Sequence, residues 1–80
     1  MEIRKVAARG YEKLSNGKKV TNVERMCMIL VDGKWHTGAE LAEKCGWRFG
    51  GVVHRLRHDY GIEIETDGKK KGVHNYRAVI

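Results

Sequence analysis

Cationic side chains in two short stretches have the clearest chemical potential in this chain. The first stretch combines arginine, histidine and glycine: Arg48, Gly51, His54, Arg55 and His58. The second stretch is mostly lysine: Lys69, Lys70, Lys71 and His74. These side chains donate hydrogen bonds to phosphate oxygens, and an arginine can also donate two parallel bonds to the edge of a guanine. Together the two stretches predict a surface that binds a polyanion, of which nucleic acid is the usual one.

The distribution of charge agrees with this prediction. The net charge is +6. Residues 1–20 carry six lysines and arginines against two acids, and residues 48–80 carry seven against four. Residues 21–47 are near neutral, with three against four. The positive charge alone is equally compatible with a protein that binds no polyanion and uses its charge only for solubility, because many small soluble domains are basic.

Catalytic chemistry is not indicated. Ser15 is the only serine, it lies in a predicted turn, and no nucleophile, base and acid stand together. The run from Gly68 to Gly72 lacks the Gly-Lys-Ser/Thr ending of a phosphate-binding P-loop. The chain of 80 residues is also small for a deep ligand pocket. We therefore expect no enzyme and no cofactor.

A metal site is the remaining alternative for the two histidines at residues 54 and 58. They stand four residues apart, which is the spacing of two ligands on one helical turn. Further ligands would have to come from Asp59, Glu65 or His74, and none of these is at a diagnostic spacing. We expect no metal site.

A helix at about residues 48–60, the third one predicted after residue 20, must position the first cationic stretch. Phe49, Val53, Leu56 and Tyr60 form one apolar stripe at helical spacing, so the remaining residues are expected to be exposed. Gly50 and Gly51 lie among the exposed residues and weaken a helix. They allow either close approach to DNA or close packing against the preceding helix, and the sequence does not decide between them.

The elements before this helix are also indicated by pattern. Apolar spacing predicts a helix over residues 3–14, either packed on the domain or acting as a basic arm that orders on DNA. Two capping boxes, Thr21 with Glu24 and Thr37 with Glu40, begin two further helices. Asp32-Gly33 ends the helix that begins at Thr21, and Gly46 ends the helix that begins at Thr37. Between these two helices, residues 34–36 form a short extended piece.

The elements after it form a predicted hairpin. Residues 62–66 alternate between apolar and polar, Asp67-Gly68 is a turn signal, and residues 75–80 form the return strand. The three lysines would then lie at the hairpin tip.

Trp35 and Trp47 lie on either side of the helix that begins at Thr37. They are interpreted as residues at the edge of the core rather than as stacking platforms, which would need exposure. Cys27 and Cys45 are interpreted as free thiols, Cys27 as a small core residue.

The segment from Thr21 to Ile80 resembles a winged helix-turn-helix domain, like the one at the start of biotin repressors and those in small phage and bacterial regulators. The resemblance is carried by residues 35–42, Leu56-Arg57, residues 61–64 and Tyr76. It implies an α+β fold in which residues 20–80 form a three-helix core with a small antiparallel β wing, after a basic arm or helix over residues 1–19. It also implies that the third helix reads the major groove through the first cationic stretch. The wing, at residues 67–74, would contact the backbone or minor groove through the second.

We therefore expect a double-stranded DNA-binding protein, either a transcriptional regulator or a phage or plasmid accessory factor. An excisionase-like architectural DNA-binding protein, a protein-interaction module on the same fold, and an RNA-binding protein are the alternatives. The sequence offers no membrane helix, since no apolar run approaches about 18 residues, and no secretion signal. A cytoplasmic, nucleoid-associated location and a monomeric state are expected, with a protein partner possible.

Overall fold

A computed structural model describes residues 2–70 and 73–79. Within these residues the chain forms helices and a three-stranded antiparallel sheet, so the expected α+β class is confirmed. The elements in chain order are α1 (Ile3–Ser15), α2 (Asn22–Leu30), β1 (His36–Thr37), α3 (Gly38–Cys45), α4 (Phe49–His58), β2 (Ile64–Lys70) and β3 (Val73–Ala78).

Helix α2 lies at the centre of the fold. The predicted capping box at its start is confirmed: the Thr21 hydroxyl accepts from the Glu24 amide at 3.2 Å, and the Glu24 carboxylate accepts from the Thr21 amide at 2.9 Å. The side chains of Met26, Cys27 and Leu30 are completely buried. They make α2 the element against which α1, α3, α4 and β3 pack.

Helix α1 packs against α2. Its buried side consists of Ile3, Val6, Ala7 and Gly10. At Gly10 the two helices approach so closely that an added β-carbon would collide with the Met28 side chain. The ammonium of Lys13 lies 2.8 Å from the buried carboxylate of Glu24 and, with the capping contacts, lowers the pKa of that carboxyl. Leu14, which its spacing assigned to the packed face, is exposed.

Helix α3 begins with only half of its predicted capping box. The Thr37 hydroxyl accepts from the Glu40 amide at 3.1 Å, as expected. The Glu40 carboxylate does not return to Thr37 but bonds to the ring of His36, so the reciprocal half of the prediction is wrong. Gly46 ends the helix at a φ of 90°, a conformation that favours glycine.

The sheet has the strand order β1-β3-β2. The prediction of a turn at Asp67-Gly68 is wrong, because both residues lie inside β2 and pairing continues beyond them. Asp67 is opposite Asn75 and Lys70 is opposite Val73, which leaves one additional residue in β2 as a bulge. A β-carbon at Gly68 would lie 2.8 Å from the His74 ring, so glycine permits this close approach.

The two strands of this hairpin are joined by a side-chain pair as well as by backbone bonds. Arg77 donates from Nε and Nη2 to the Glu65 carboxylate directly across from it, at 3.1 and 2.9 Å. The Arg77 guanidinium also lies 4.6 Å from the centre of the Trp35 ring, a cation–π contact. Trp35 keeps 43% of its surface exposed, so it lies over the hairpin rather than in the core.

No helix in the described part of the chain is both long enough and apolar enough to span a bilayer.

A cluster of charges around His36 ties the end of α2 to the start of α3. The His36 ring bonds Asp32 through Nε2 at 3.0 Å and Glu40 through Nδ1. Burial disfavours the charged ring, but its bonds with the two carboxylates outweigh burial and raise the pKa of His36. Burial likewise opposes ionisation of Asp32, but the amide of Lys34 and the His36 ring lower its pKa overall.

These pKa shifts predict a pH window for stability. Because the pKa of His36 is raised on folding, its stabilisation is complete below its unfolded pKa of about 6.5 and is lost as pH rises through the folded value. Because the pKa of Asp32 is lowered, its contribution is present above about pH 4 and is lost as pH falls through the folded value. We expect the free energy of unfolding of wild type to exceed that of His36→Gln most between about pH 4 and 6.5. Urea unfolding across pH measures this difference, and a difference that is as large at alkaline pH as inside this window would contradict the assignment.

Candidate nucleic-acid interface

Helix α4 is fixed in place by its apolar side. Val53 and Leu56 are buried, and Phe49 is half-buried with its ring edge-on to Tyr76, 5.6 Å between centroids. The helix starts at Phe49, and the residue before it, Arg48, makes no side-chain capping hydrogen bond. At its other end the Ile62 amide donates to the Leu56 carbonyl at 2.9 Å, which brings the chain directly into the hairpin.

The opposite side of α4 is open to solvent. All five predicted contact residues of this segment are exposed: Arg48, Gly51, His54, Arg55 and His58. At about 100° per residue they fall within an arc of about 120° on the side away from the core. We call these five residues the cationic face of α4.

The side chains of the cationic face make few contacts with the rest of the fold. Arg55 Nε lies 3.7 Å from Asp59 Oδ2, and both side chains are 61% exposed. Such an exposed pair is easily replaced by another partner. The rings of His54 and His58 stack at 4.1 Å between centroids. The side chain of Arg48 has no hydrogen bond or ion pair to the described residues. The donors of both arginines are consequently available to a ligand.

The two glycines at the start of α4 have nothing around them. A β-carbon at either Gly50 or Gly51 would have no atom within 4 Å outside its own helix. Neither glycine has a positive φ. The interpretation that they permit packing against α3 is therefore wrong, and neither packing nor backbone conformation requires glycine at these two positions.

One arginine of this helix belongs to the fold instead. Arg57 Nη2 donates to the carbonyl of Ile64 at 2.7 Å and ties the end of α4 to the start of β2. Arg55 and Arg57 are chemically identical and two residues apart, yet only Arg55 presents its guanidinium on the cationic face. The sequence alone carries no signal that separates them, because the acceptor lies in another element.

The second cationic stretch lies in and after β2. Lys69 and Lys70 are the last residues of this strand. Lys71 lies outside the described residues. His74, on β3, is exposed and lies over Gly68. The hairpin therefore carries two of the three predicted lysines within its first strand rather than at a short turn.

A groove connects the start of α4 to the hairpin. Its volume is about 440 Å³, and we call it the aromatic groove. Its lining residues are Thr37, Gly38, Ala39, Ala42, Trp47, Phe49, His74 and Tyr76. His74 of the hairpin therefore lines the same groove as Trp47, which precedes α4, and Phe49, which begins it.

Trp47 is the residue whose position the sequence interpretation missed. It was expected at the edge of the core, but 92% of its surface is exposed. It follows Gly46, where α3 ends, and precedes the first residue of α4. It therefore belongs to neither apolar stripe, and that is the signal that could have identified it as an exposed ring.

Other chemistry receives little support from the described residues. No group of three or more histidine, cysteine, aspartate or glutamate side chains among them could hold a metal ion. Cys27 and Cys45 are free and buried, and burial raises the pKa of the Cys27 thiol to about 12. A thiol in that state is a poor nucleophile.

No protein-family model, no curated protein and no solved structure matches this chain.

The exposed glycines generate a stability prediction. Gly51→Ala should raise the free energy of unfolding by up to about 1 kcal/mol, because alanine restricts the unfolded chain and meets no obstacle in the helix. Gly61→Ala is the matched control, since Gly61 is equally uncrowded but has a φ of +65°. That change should lower the free energy of unfolding by about 1 kcal/mol or more. Urea denaturation of both variants provides the comparison, and a destabilising Gly51→Ala would show that glycine is needed there for folding.

Proposed function

We propose that this protein is a double-stranded DNA-binding protein of the winged-helix type, with α4 as its recognition helix and the β2–β3 hairpin as its wing. The observation that carries the proposal is the cationic face of α4. A helix with side chains is about 10–12 Å across, and the major groove of B-DNA is about 12 Å wide. An exposed helix with available arginine donors has both the size and the hydrogen-bonding groups to enter that groove.

Base contacts are assigned to Arg48, His54, Arg55 and His58. The guanidinium of Arg55 lies on the exposed side, and its pairing with Asp59 at 3.7 Å is weak enough to exchange for a guanine edge. Gly50 and Gly51 remove side chains from the first turn and let the backbone of α4 come close to the DNA. This role explains two glycines that neither packing nor backbone conformation requires.

Backbone contacts are assigned to Lys69, Lys70, Lys71 and His74. Lys69 and Lys70 end β2 and His74 lies on β3, so the hairpin would carry them along a neighbouring phosphate strand or into the minor groove. Phosphate contacts supply affinity without sequence preference, whereas α4 would supply the preference. A regulator of transcription, or an accessory factor of a phage or plasmid, associated with the nucleoid, is the role that we infer from this division.

The proposal is tested by fluorescence anisotropy with a labelled random-sequence duplex at increasing salt concentration. We expect log affinity to fall linearly with log salt concentration, with a slope of about −0.9 for each phosphate contact and several contacts in total. Absence of binding even at low salt would reject the proposal and leave a protein-interaction module as the function.

The role of Arg55 requires a preferred duplex, selected from a random pool, and a scrambled version of it. Arg55→Ala should reduce the preference for the selected duplex by about 1–3 kcal/mol, the contribution of one good bidentate contact. Arg9→Ala is the control, because Arg9 is also exposed but lies on α1. It removes the same charge and should weaken both duplexes equally. An equal loss on both duplexes for Arg55→Ala as well would show that Arg55 does not read bases.

A further inference from the structure

Trp47 is exposed without a structural reason among the described residues. Tyr11, Leu14, Trp35 and Val79 are exposed over 42% to 57% of their surface, while Trp47 leaves 92% of its surface in water. The turn that it occupies is set by Gly46, whose φ of 90° ends α3. A small polar residue at position 47 would suit this turn and would avoid the exposed apolar surface. The choice of tryptophan there is consequently more typical of a contact residue than of a packing residue.

The aromatic groove beside Trp47 is built from rings. Phe49 and Tyr76 pack edge to face and are half-buried, whereas Trp47 and His74 are exposed. The remaining lining residues are small: Thr37, Gly38, Ala39 and Ala42. A volume of about 440 Å³ lies within the range of about 300–1,000 Å³ that is typical of small-molecule sites. None of the described lining residues is acidic, so a ligand with negative charge would meet no repulsion there.

Positive charge begins immediately next to the groove. Arg48 follows Trp47, is exposed, and has no ion-pair partner among the described residues. The other residues of the cationic face continue along α4 from that point. A ligand that suits both features has a flat aromatic part for the rings and an anionic part for the arginine, and a nucleotide unit has both.

We propose that Trp47 and the aromatic groove bind an unpaired base of the DNA, so that the preferred ligand is a duplex with a single-stranded extension. This inference rests on the proposed function and specifies the form of DNA that is bound. Inside a duplex both faces of each base are covered by neighbouring bases, so an unpaired base can stack on Trp47 where an interior base pair cannot. Stacking on an aromatic side chain is tolerant of sequence, because every base presents such a face. The duplex part would lie on α4 and the hairpin, as proposed above.

The test compares two labelled DNAs in fluorescence anisotropy: a blunt duplex and the same duplex with a single-stranded extension. Wild type should bind the extended duplex about tenfold more tightly or better, the gain expected from at least one stacked base. Trp47→Ala should remove that gain and leave blunt-duplex affinity nearly unchanged, whereas Trp47→Phe should retain most of it. Trp35→Phe leaves Trp47 as the only tryptophan, so quenching of its emission by the extended duplex reports stacking directly.

The outcomes separate this inference from the proposed function. Absence of binding to either DNA would reject both. Tight binding to the blunt duplex with no gain from the extension, or an equal loss on both DNAs in Trp47→Ala, would reject only the inference. Self-association in sedimentation that Trp47→Ala abolishes, without any gain from the extension, would assign the groove to a second copy of the chain and would also overturn it. Trp35→Ala is the matched control, because Trp35 is occupied by Arg77, and it should leave the gain from the extension intact.

Discussion

The packing of four other elements against one short helix is the constraint on which this structure depends. Helix α2 has nine residues, and Met26, Cys27 and Leu30 within it have no exposed surface. A chain of 80 residues can build only one small core, so each surrounding element gives a single side to it. Helix α4 gives Val53 and Leu56. Its opposite side is then exposed, and the candidate interface is a direct consequence of how the core is shared.

The fold also sorts the positive charges into two groups. Some cations make contacts within the fold. Lys13 pairs with Glu24, and Arg57 donates a hydrogen bond to the carbonyl of Ile64. Arg77 pairs with Glu65 and makes a cation–π contact with Trp35. These contacts attach α1 to α2 and the hairpin to α4 and to itself. Arg48 and Arg55 have no comparable role. The contacts within the fold therefore use only part of the positive charge, and two of the remaining cations, Arg48 and Arg55, lie where α4 faces solvent.

Local patterns predicted the parts of the fold that local interactions decide. The capping box of α2 and the apolar stripe of α4 involve residues within one or two turns, and both are present as predicted. The turn predicted at Asp67-Gly68 was wrong because pairing with β3, which the two turn residues do not encode, extends the strand through that signal. The second capping box was half wrong because His36, four residues before Glu40, competes with Thr37 for its carboxylate. The exposed face of α4 was predictable from spacing, and the exposure of Trp47 had a signal in its position outside both apolar stripes, whereas the contact of Arg57 depends on an acceptor in another element.

Residues that the fold does not require indicate where the interface is centred. Two exposed glycines weaken the first turn of α4, and an exposed tryptophan precedes it, in a domain with little stability to spare. Residues that conflict in this way with helix stability or with burial of apolar surface are typical of functional sites. All three lie at the same end of α4, next to Arg48 and to the hairpin residue His74. His58 lies at the other end, two turns away or more. We infer that contact with a ligand is centred on the start of α4 and that the far end of the helix contributes less.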